Sequence, residues 1–216
     1  MSTFILEGPS FVPNGTIERC IILLHGFGSD GDDLMGLVPP LETALPKVEQ
    51  GKTAYFSPHG PLEMDFGGRA WFSDANWTLK DRKGIATAKE SLWAYMEEHV
   101  FPIVKPEDTY VFGFSQGTMT ALFAVPRWPK PIAGLIGHSG RMLWDEELAN
   151  EGNYHKIPTL LLHGTDDDVV AADESVDACA RLQALGFDVE YALISDLAHG
   201  INAESLAHVV GFLAEK

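Results

Sequence analysis

The segment 109–122 carries the residues whose types and spacing point most directly to chemistry. A strand-like run, Thr109–Phe114, enters Gly113-Phe114-Ser115-Gln116-Gly117, and a helical pattern follows. This is the pattern G-x-S-x-G between a strand and a helix, in which a sharp turn presents a serine hydroxyl. Glycine at 113 and 117 removes the side chains that would collide in such a strained turn. We therefore predict that Ser115 is a nucleophile and that the amides of the following helix face an oxyanion formed beside it.

A serine hydroxyl is a weak nucleophile without a base, and the base needs a carboxylate to orient it. The acid and then the histidine are expected in loops that follow later strands. His199 follows the strand-like run Val189–Ile194 and is the one of the eight histidines that fits this place. We predict that His199 is the base, because His163 lies at the acid loop itself, upstream of the acid.

Three adjacent acids follow the strand-like run Thr159–Leu162, namely Asp166, Asp167 and Asp168. Each is a candidate to orient His199, because the other two suit a turn or a helix N-cap. The residues alone leave this choice open.

An oxyanion needs two backbone amides, one from the residue after the nucleophile and one from the loop after an earlier strand. Gln116 supplies the first, and Phe27, in the glycine-rich turn 24–31, is our candidate for the second. This turn does not complete the phosphate-binding pattern G-x-G-x-x-G, since Gly31 is followed by two aspartates that would repel a phosphate. A nucleotide site is therefore disfavoured.

Apolar, β-branched runs alternate with segments of helical period, which is typical of an α/β fold with a mostly parallel central sheet and helices on both faces. No linker, repeat or change in composition divides the chain, so we predict a single domain, 1–216. The segment 58–82 has no clear period and is predicted to be an irregular excursion. The predicted strands are Cys20–Leu24, Thr53–Phe56, Thr109–Phe114, Ile132–Ile136, Thr159–Leu162 and Val189–Ile194, and the predicted helices are Ile85–Val100, Gln116–Val125, Ser175–Leu185 and Ala203–Ala214.

The composition excludes several classes of function. Asp and Glu number 31 against 15 Lys and Arg, and the net charge of −16 disfavours nucleic acids and anionic membranes as partners. The apolar runs are far shorter than the ~20 residues of a membrane span, and the N-terminus has no secretory signal, so we expect a cytoplasmic protein without stable membrane insertion. The two cysteines, Cys20 and Cys179, lie in no zinc-binding pattern, and we predict no metal.

With these residues assembled, the chain resembles the phospholipase/carboxylesterase family of α/β hydrolases, which includes the acyl-protein thioesterases. The resemblance rests on the segments 23–34, 113–117, 163–170 and 198–200. It implies an α/β-hydrolase fold over nearly the whole chain. It also implies that the acid is Asp167, at the fifth position of the family's His-Gly-x-x-Asp loop.

The sequence departs from the family pattern at three places. Thr118 stands where the family usually has Gly, Asp168 where it often has Pro, and Ala171 where Pro commonly follows the paired valines. None of these departures removes a group with a predicted role in the reaction.

The excursion also carries a family resemblance. The segment Gly68–Ser73 is similar to the family's Gly-x-x-Trp-Phe-Asp stretch, with Ser73 at the Asp position. In the family this region borders the acyl site. The resemblance therefore implies that the excursion borders the acyl site, where Trp71, Phe72 and Trp77 offer apolar walls for a substrate. The alternative is that these large aromatic side chains fill the core.

The resemblance implies hydrolysis of carboxylic esters or thioesters through an acyl-enzyme, with no cofactor. Ser115 attacks the acyl carbon, His199 transfers the proton to the leaving group, and Asp167 holds the imidazole. Our leading hypothesis is a serine carboxylesterase for small-molecule esters. A lysophospholipase or acyl-protein thioesterase of the same mechanism, and a non-catalytic binding protein with the same fold, are alternatives. The oligomeric state is left open, with a homodimer among the options.

Overall fold

The computed structural model describes residues 3–65, 67–73 and 81–215, so Trp77 lies outside the described residues. Within them, the strands are β1 (Ser10–Phe11), β2 (Arg19–Leu24), β3 (Thr53–Phe56), β4 (Leu62–Glu63), β5 (Arg69–Ala70), β6 (Thr109–Phe114), β7 (Gly134–His138), β8 (Thr159–Gly164) and β9 (Val189–Ile194). Seven of these strands form one sheet in the order β1-β3-β2-β6-β7-β8-β9, and β4 and β5 form a separate two-stranded hairpin.

All neighbouring pairs from β3 to β9 in this sheet are parallel, and β1 alone is antiparallel, with Ser10 opposite Phe56. The helices are α1 (Gly31–Met35), α2 (Val38–Ala44), α3 (Arg82–Tyr95), α4 (Gln116–Ala124), α5 (Asp145–Glu151), α6 (Asp173–Ala184) and α7 (Ala203–Ala214). A π-helical turn, Met96–Val100, continues α3, and a 3₁₀ turn, Pro106–Asp108, precedes β6.

Helices cover both faces of the sheet because alternate residues of the central strands are apolar on both sides. On one face Ile22 and Leu24 belong to a core cluster with residues of α3, α4 and α6. On the other face Ile21 and Leu23 share a cluster with residues of α2 and α7. Burial of both faces explains the continuous apolar runs in the sequence. The predicted fold, an α/β fold with a mostly parallel central sheet, is confirmed.

Three predicted strands, 53–56, 109–114 and 189–194, have the observed bounds. The predicted strand Ile132–Ile136 is shifted: pairing with β6 begins at Gly134, opposite Tyr110. Ile132 is buried although it precedes the strand, so its apolar character reflects the core and not the sheet. The predicted helix 85–100 begins earlier, at Arg82, because the Asp81 carboxylate accepts the Gly84 amide as an N-cap.

The excursion 58–82 is mostly irregular where it is described. It contains the hairpin of β4 and β5, with Leu62 opposite Ala70. The sequence did not predict this hairpin, since its strands have only two residues each. None of the helices in residues 3–65, 67–73 and 81–215 has both the length and the apolar composition that a membrane crossing requires.

Candidate active site

Ser115 occupies a sharp turn between β6 and α4, with a positive φ of 53° and ψ of −117°. Its backbone N–H donates to the carbonyl of His138 in the neighbouring strand, at 2.9 Å. A Cβ at position 117 would overlap the carbonyl of Leu24, and one at position 113 would lie 2.5 Å from the amide of Thr118. The glycines are therefore required by close backbone approach, and they hold Ser115 at the carboxyl edge of the sheet.

His199 and Asp167 are joined by a hydrogen bond of 2.7 Å between Nδ1 and Oδ2. The other carboxylate oxygen, Oδ1, accepts the amides of Val169 and Val170 at 2.9 and 2.8 Å. Burial by itself raises the pKa of the Asp167 carboxyl, but the hydrogen bonds from Val170, His199 and Val169 outweigh it and hold this pKa below its ordinary value. Asp167 is therefore an ionised acceptor that keeps a proton on the Nδ1 atom of His199.

The two neighbouring acids are placed differently. Asp166 and Asp168 are exposed, whereas the side chain of Asp167 is fully buried. Asp166 accepts the hydroxyl of Thr165, at 3.0 Å. Of the three aspartates that the sequence left open, Asp167 is the one that contacts His199.

Two contacts bring the predicted residues to one place. The ring of Phe114, the residue before Ser115, lies 4.9 Å from the ring of His199. On another side, a Cβ at Gly26 would lie 3.3 Å from the Cβ of Ser115. The nucleophile turn, the histidine loop and the glycine-rich turn after β2 therefore meet at the carboxyl edge of the sheet, as is general for sites in parallel α/β sheets.

The orientation of the Phe27 amide is set by His25. The Nε2 atom of His25 accepts the Gly60 amide at 2.8 Å, so the ring proton is on Nδ1, which lies 2.7 Å from the Gly26 carbonyl oxygen and donates to it. Burial lowers the pKa of His25, which keeps the ring neutral. Because the C=O and N–H of a trans peptide point in opposite directions, this bond directs the Phe27 N–H away from the His25 ring.

The Gln116 side chain has a role that the sequence did not reveal. Its Oε1 accepts the Trp71 amide at 2.9 Å, and its Nε2 donates to the Phe72 carbonyl at 2.8 Å. The Trp71 indole donates to the carbonyl of His25 at 2.9 Å. These three hydrogen bonds attach the excursion to the nucleophile turn, through Gln116, and to the glycine-rich turn after β2, through His25. The backbone N–H of Gln116 lies in the first turn of α4, where helical N–H groups have no partner within the helix.

The predicted substrate-binding residues, Trp71 and Phe72, are 0% and 1% exposed. Both side chains belong to the core cluster on the α3 and α4 side of the sheet. The structure thus places them inside the protein beside the nucleophile turn, and their contact with a substrate stays a prediction.

Thr118, which stands where the resembled family usually has Gly, ties the nucleophile turn to β7. Its Oγ1 accepts the His138 amide at 3.0 Å and lies 2.7 Å from the Gly113 carbonyl and 2.8 Å from that of His138. The departure from the family pattern therefore adds a buried polar link between two strands.

Two further buried histidines, His138 and His163, lie close to the site and were not assigned a role from the sequence. His138 contacts Ser139 Oγ at 3.0 Å and Ser205 Oγ at 2.9 Å. Burial, with the charge that His163 and His199 can carry nearby, lowers the pKa of His138 to about 3. A lone histidine at a strand end gives no periodic signal, so only the neighbouring strand in space reveals these contacts.

Among the described residues, Asp30, Asp32 and His59 bring ligand atoms within 4.8 Å of one another. Two of the three side chains already accept hydrogen bonds: Asp30 Oδ1 accepts the amides of Asp32 and Asp33, and His59 Nδ1 accepts that of Gly31. These groups order the start of α1, which follows the turn that carries Phe27.

Two cavities lie at different ends of the molecule. One of about 670 Å³ is lined by Arg19, Glu49 and Tyr110 near the amino ends of the strands, away from Ser115. Another, of about 330 Å³, is mostly apolar and is lined by Trp71, Ser73 and other residues of the excursion and α3. Of these two, the second cavity borders the excursion, which contacts the nucleophile turn through Trp71.

The sequence model of the phospholipase/carboxylesterase family matches residues 12–216. A probable carboxylesterase, SOBER1-like, of Arabidopsis thaliana is 27% identical over 208 residues, which are 91% of this chain and 78% of the relative. Acyl-protein thioesterase 1 of Gibberella zeae is 23% identical over 91% of this chain and 89% of its own. The crystal structure of esterase PE8 superposes with a TM-score of 0.87 and 32% identity, over 98% of this chain and 99% of that one.

These likenesses confirm the predicted enzyme class, carboxylic ester hydrolases, at the level of the family. The family model matches the chain from residue 12 to residue 216, and the turn at Ser115 lies at the carboxyl edge of a parallel sheet. The chain therefore belongs to the phospholipase/carboxylesterase family of α/β hydrolases.

Proposed function

We propose that the protein is a serine carboxylesterase that cleaves small-molecule esters through an acyl-enzyme on Ser115. The observation that carries this proposal is the 2.7 Å bond from His199 Nδ1 to a fully buried, ionised Asp167. It leaves Nε2 as the nitrogen of His199 that can accept a proton, and the His199 side chain keeps 17% exposure at the site. This is the tautomer that a general base for Ser115 requires.

The proposed reaction has two steps, acylation of Ser115 and deacylation by water. His199 Nε2 takes the Ser115 proton as Oγ attacks the acyl carbon, and the charge that develops on the carbonyl oxygen is stabilised by the amides of Gln116 and Phe27. The protonated His199 is stabilised by Asp167 and returns its proton to the leaving alcohol. Water then repeats the sequence, and the acid product leaves with Ser115 restored.

The test is covalent labelling with a fluorophosphonate, followed by peptide mapping. We expect one adduct per chain, on Ser115, and its loss together with ester hydrolysis in Ser115→Ala. The exposed Ser10→Ala in β1 is the matched control and should label and hydrolyse as the wild type does. An adduct elsewhere, or undiminished hydrolysis by Ser115→Ala, would show that the proposal is wrong.

The chemistry of Ser115 does not by itself choose the leaving group, so thioester cleavage is the second candidate. The relative named acyl-protein thioesterase 1 is the observation that favours it. Rates on matched p-nitrophenyl esters and thioesters of increasing acyl length separate the two candidates. Much faster cleavage of long-chain thioesters or of lysophospholipid would replace our preference for small esters. The cytoplasmic location, the single domain and the oligomeric state stay predictions from the sequence.

The net charge of −16 supports the preference for small soluble esters. A strongly acidic surface repels anionic lipid and hastens the departure of a carboxylate product. If this repulsion matters, KM for an anionic ester should fall as salt screens it, whereas KM for a neutral ester should stay the same.

A further inference from the structure

His163 lies in β8 beneath the acid loop, and its side chain is fully buried. Its Nε2 lies 2.8 Å from the carbonyl oxygen of Val170 and its Nδ1 lies 2.6 Å from the Ser175 hydroxyl. Because a carbonyl can only accept, Nε2 must carry a proton. The same Nε2 lies 3.1 Å from Oδ2 of Asp167, which is the oxygen that accepts His199.

Val170 links the histidine to the carboxylate a second time. Its carbonyl accepts from His163, while its amide donates to Oδ1 of Asp167 at 2.8 Å. The His163 ring therefore closes the turn 167–170 from below. Ser175, at the start of α6, holds the far side of the ring and also lies 3.2 Å from the carbonyl of Gly140.

We propose that His163 is a positioning residue for hydrolysis: its Nε2–H fixes Val170 and, with it, the Asp167 carboxylate that receives His199. The contact also shares the charge of Oδ2 between two histidines, so that Asp167 binds the protonated form of His199 less strongly than an unshared carboxylate would. This role rests on the proposed function, in which His199 acts as the base.

Few charged groups face this cluster. The groups that face it are Asp167 in the acid loop, His199 in the loop after β9 and His138 in β7. The ion pair of Arg141 and Glu174, 3.5 Å apart, lies beside Gly140 and Ser175 in the chain. His138 and Arg141 are unchanged in the experiment below, but His163 also acts on His138, so the effect on the pair of Asp167 and His199 is followed directly at His199.

The experiment compares His163→Phe, which keeps a ring but has no donor, with His163→Gln, which keeps an N–H. In His163→Phe, Asp167 loses a neighbouring N–H and attracts the proton of His199 more strongly. We expect kcat/KM to fall about 10- to 100-fold, and the acidic limb of its pH profile to move upward by about half a pH unit or more. His163→Gln should recover part of both effects. The exposed His208→Gln in α7 is the matched control and should show neither.

The second readout is the NMR titration of the His199 ring, which needs no turnover. We expect its midpoint to move upward together with the acidic limb. A change that is only structural would lower the thermal stability and the rate but would move neither the acidic limb of the pH profile nor the midpoint of the His199 titration. If a folded His163→Phe protein gives that result, the proposal is wrong.

If neither His163 variant folds, Ser175→Ala decides, because it removes the partner of Nδ1 and leaves the ring in place. We expect a shift in the same direction but smaller, and an unmoved limb and titration overturn the proposal. Failure of the proposed function is separable from this outcome. If Ser115 is not labelled by the fluorophosphonate but the His199 titration still moves, His163 positions the pair as proposed and the esterase assignment is wrong.

Discussion

Thr118 and Gly137 share one volume between α4 and β7. A Cβ at Gly137 would lie 2.7 Å from Cγ2 of Thr118 and 3.0 Å from Cδ2 of Leu161. The methyl group that Thr118 adds, where the family usually has Gly, is thus accommodated by a strand residue without a side chain. The two positions form a complementary pair in a close-packed core.

This pair predicts a compensated double mutant. Gly137→Ala should destabilise the protein by about 1–3 kcal/mol through overpacking. Thr118→Ser removes Cγ2 but keeps Oγ1 and its bond with His138, so the double mutant should recover at least about 0.5 kcal/mol relative to the sum of the single changes. Urea unfolding of the four proteins measures this coupling. If the changes in the free energy of unfolding are additive, then Leu161, and not Thr118, limits the space for a side chain at position 137.

The second prediction concerns the three adjacent acids. Asp167→Asn should lower kcat by about 10⁴-fold, because the amide no longer holds the required tautomer of His199. Asp166→Asn and Asp168→Asn are the matched controls, since both carboxylates are exposed and should change kcat little. Steady-state hydrolysis of one ester by the three variants decides the matter. A large loss in Asp168→Asn with near-full turnover in Asp167→Asn would reverse the assignment.

The third prediction concerns the Gln116 side chain. Gln116→Met has a similar volume and keeps the backbone amide, but it leaves the Trp71 amide and the Phe72 carbonyl without their partner. Buried groups left in this way should lower the free energy of unfolding by about 2–4 kcal/mol in total. The exposed Gln183→Met in α6 is the control and should unfold like the wild type in urea. Equal midpoints for both variants would mean that the excursion does not depend on Gln116.

The fourth prediction is an acid sensitivity from His138. The unfolded chain takes up a proton at this residue near pH 6.5, whereas the folded protein does so only near pH 3. Between these values the unfolded state binds more protons, so the stability contributed by a neutral, buried His138 is present at higher pH and is lost as the pH falls. The slope reaches about 1.4 kcal/mol per pH unit.

His138→Gln should reduce this slope by the amount that one proton contributes. The free energy of unfolding of the variant should also be lower at every pH, because the contacts with Ser139 and Ser205 change. Urea unfolding at several values from about pH 7.5 to about pH 4.5 measures the slope. Parallel slopes for the wild type and the variant would show that other groups cause the acid sensitivity.

The parts of the fold that the sequence predicts are those with a local physical cause. The strand before Ser115 and the helix after it follow from an apolar run, two glycines and a helical period. The loop of His199 follows a strand whose bounds, Val189–Ile194, were predicted as observed. In these cases the residues that define the element are adjacent in the chain, so their pattern is visible without the structure.

The parts that it does not predict depend on contacts between distant residues. The Gln116 side chain bonds to Trp71 across 45 residues, and His138 contacts Ser205 across 67. Neither contact leaves a period or a motif, because each needs only one polar side chain in a buried place. The acid loop shows the same limit: the choice among Asp166, Asp167 and Asp168 depends on burial, which three identical neighbours cannot reveal.

The attachment of the excursion to Gln116 also bears on the order in which the chain folds. The Trp71 amide and the Phe72 carbonyl have their hydrogen-bond partner in the side chain of Gln116, the first residue of α4. The strand before α4, β6, pairs with β2, which lies more than 80 residues earlier in the chain. Contacts that close such long loops form late, since the chain entropy has to be given up before they contribute. In refolding experiments the far-ultraviolet helical signal should therefore return before hydrolytic activity does.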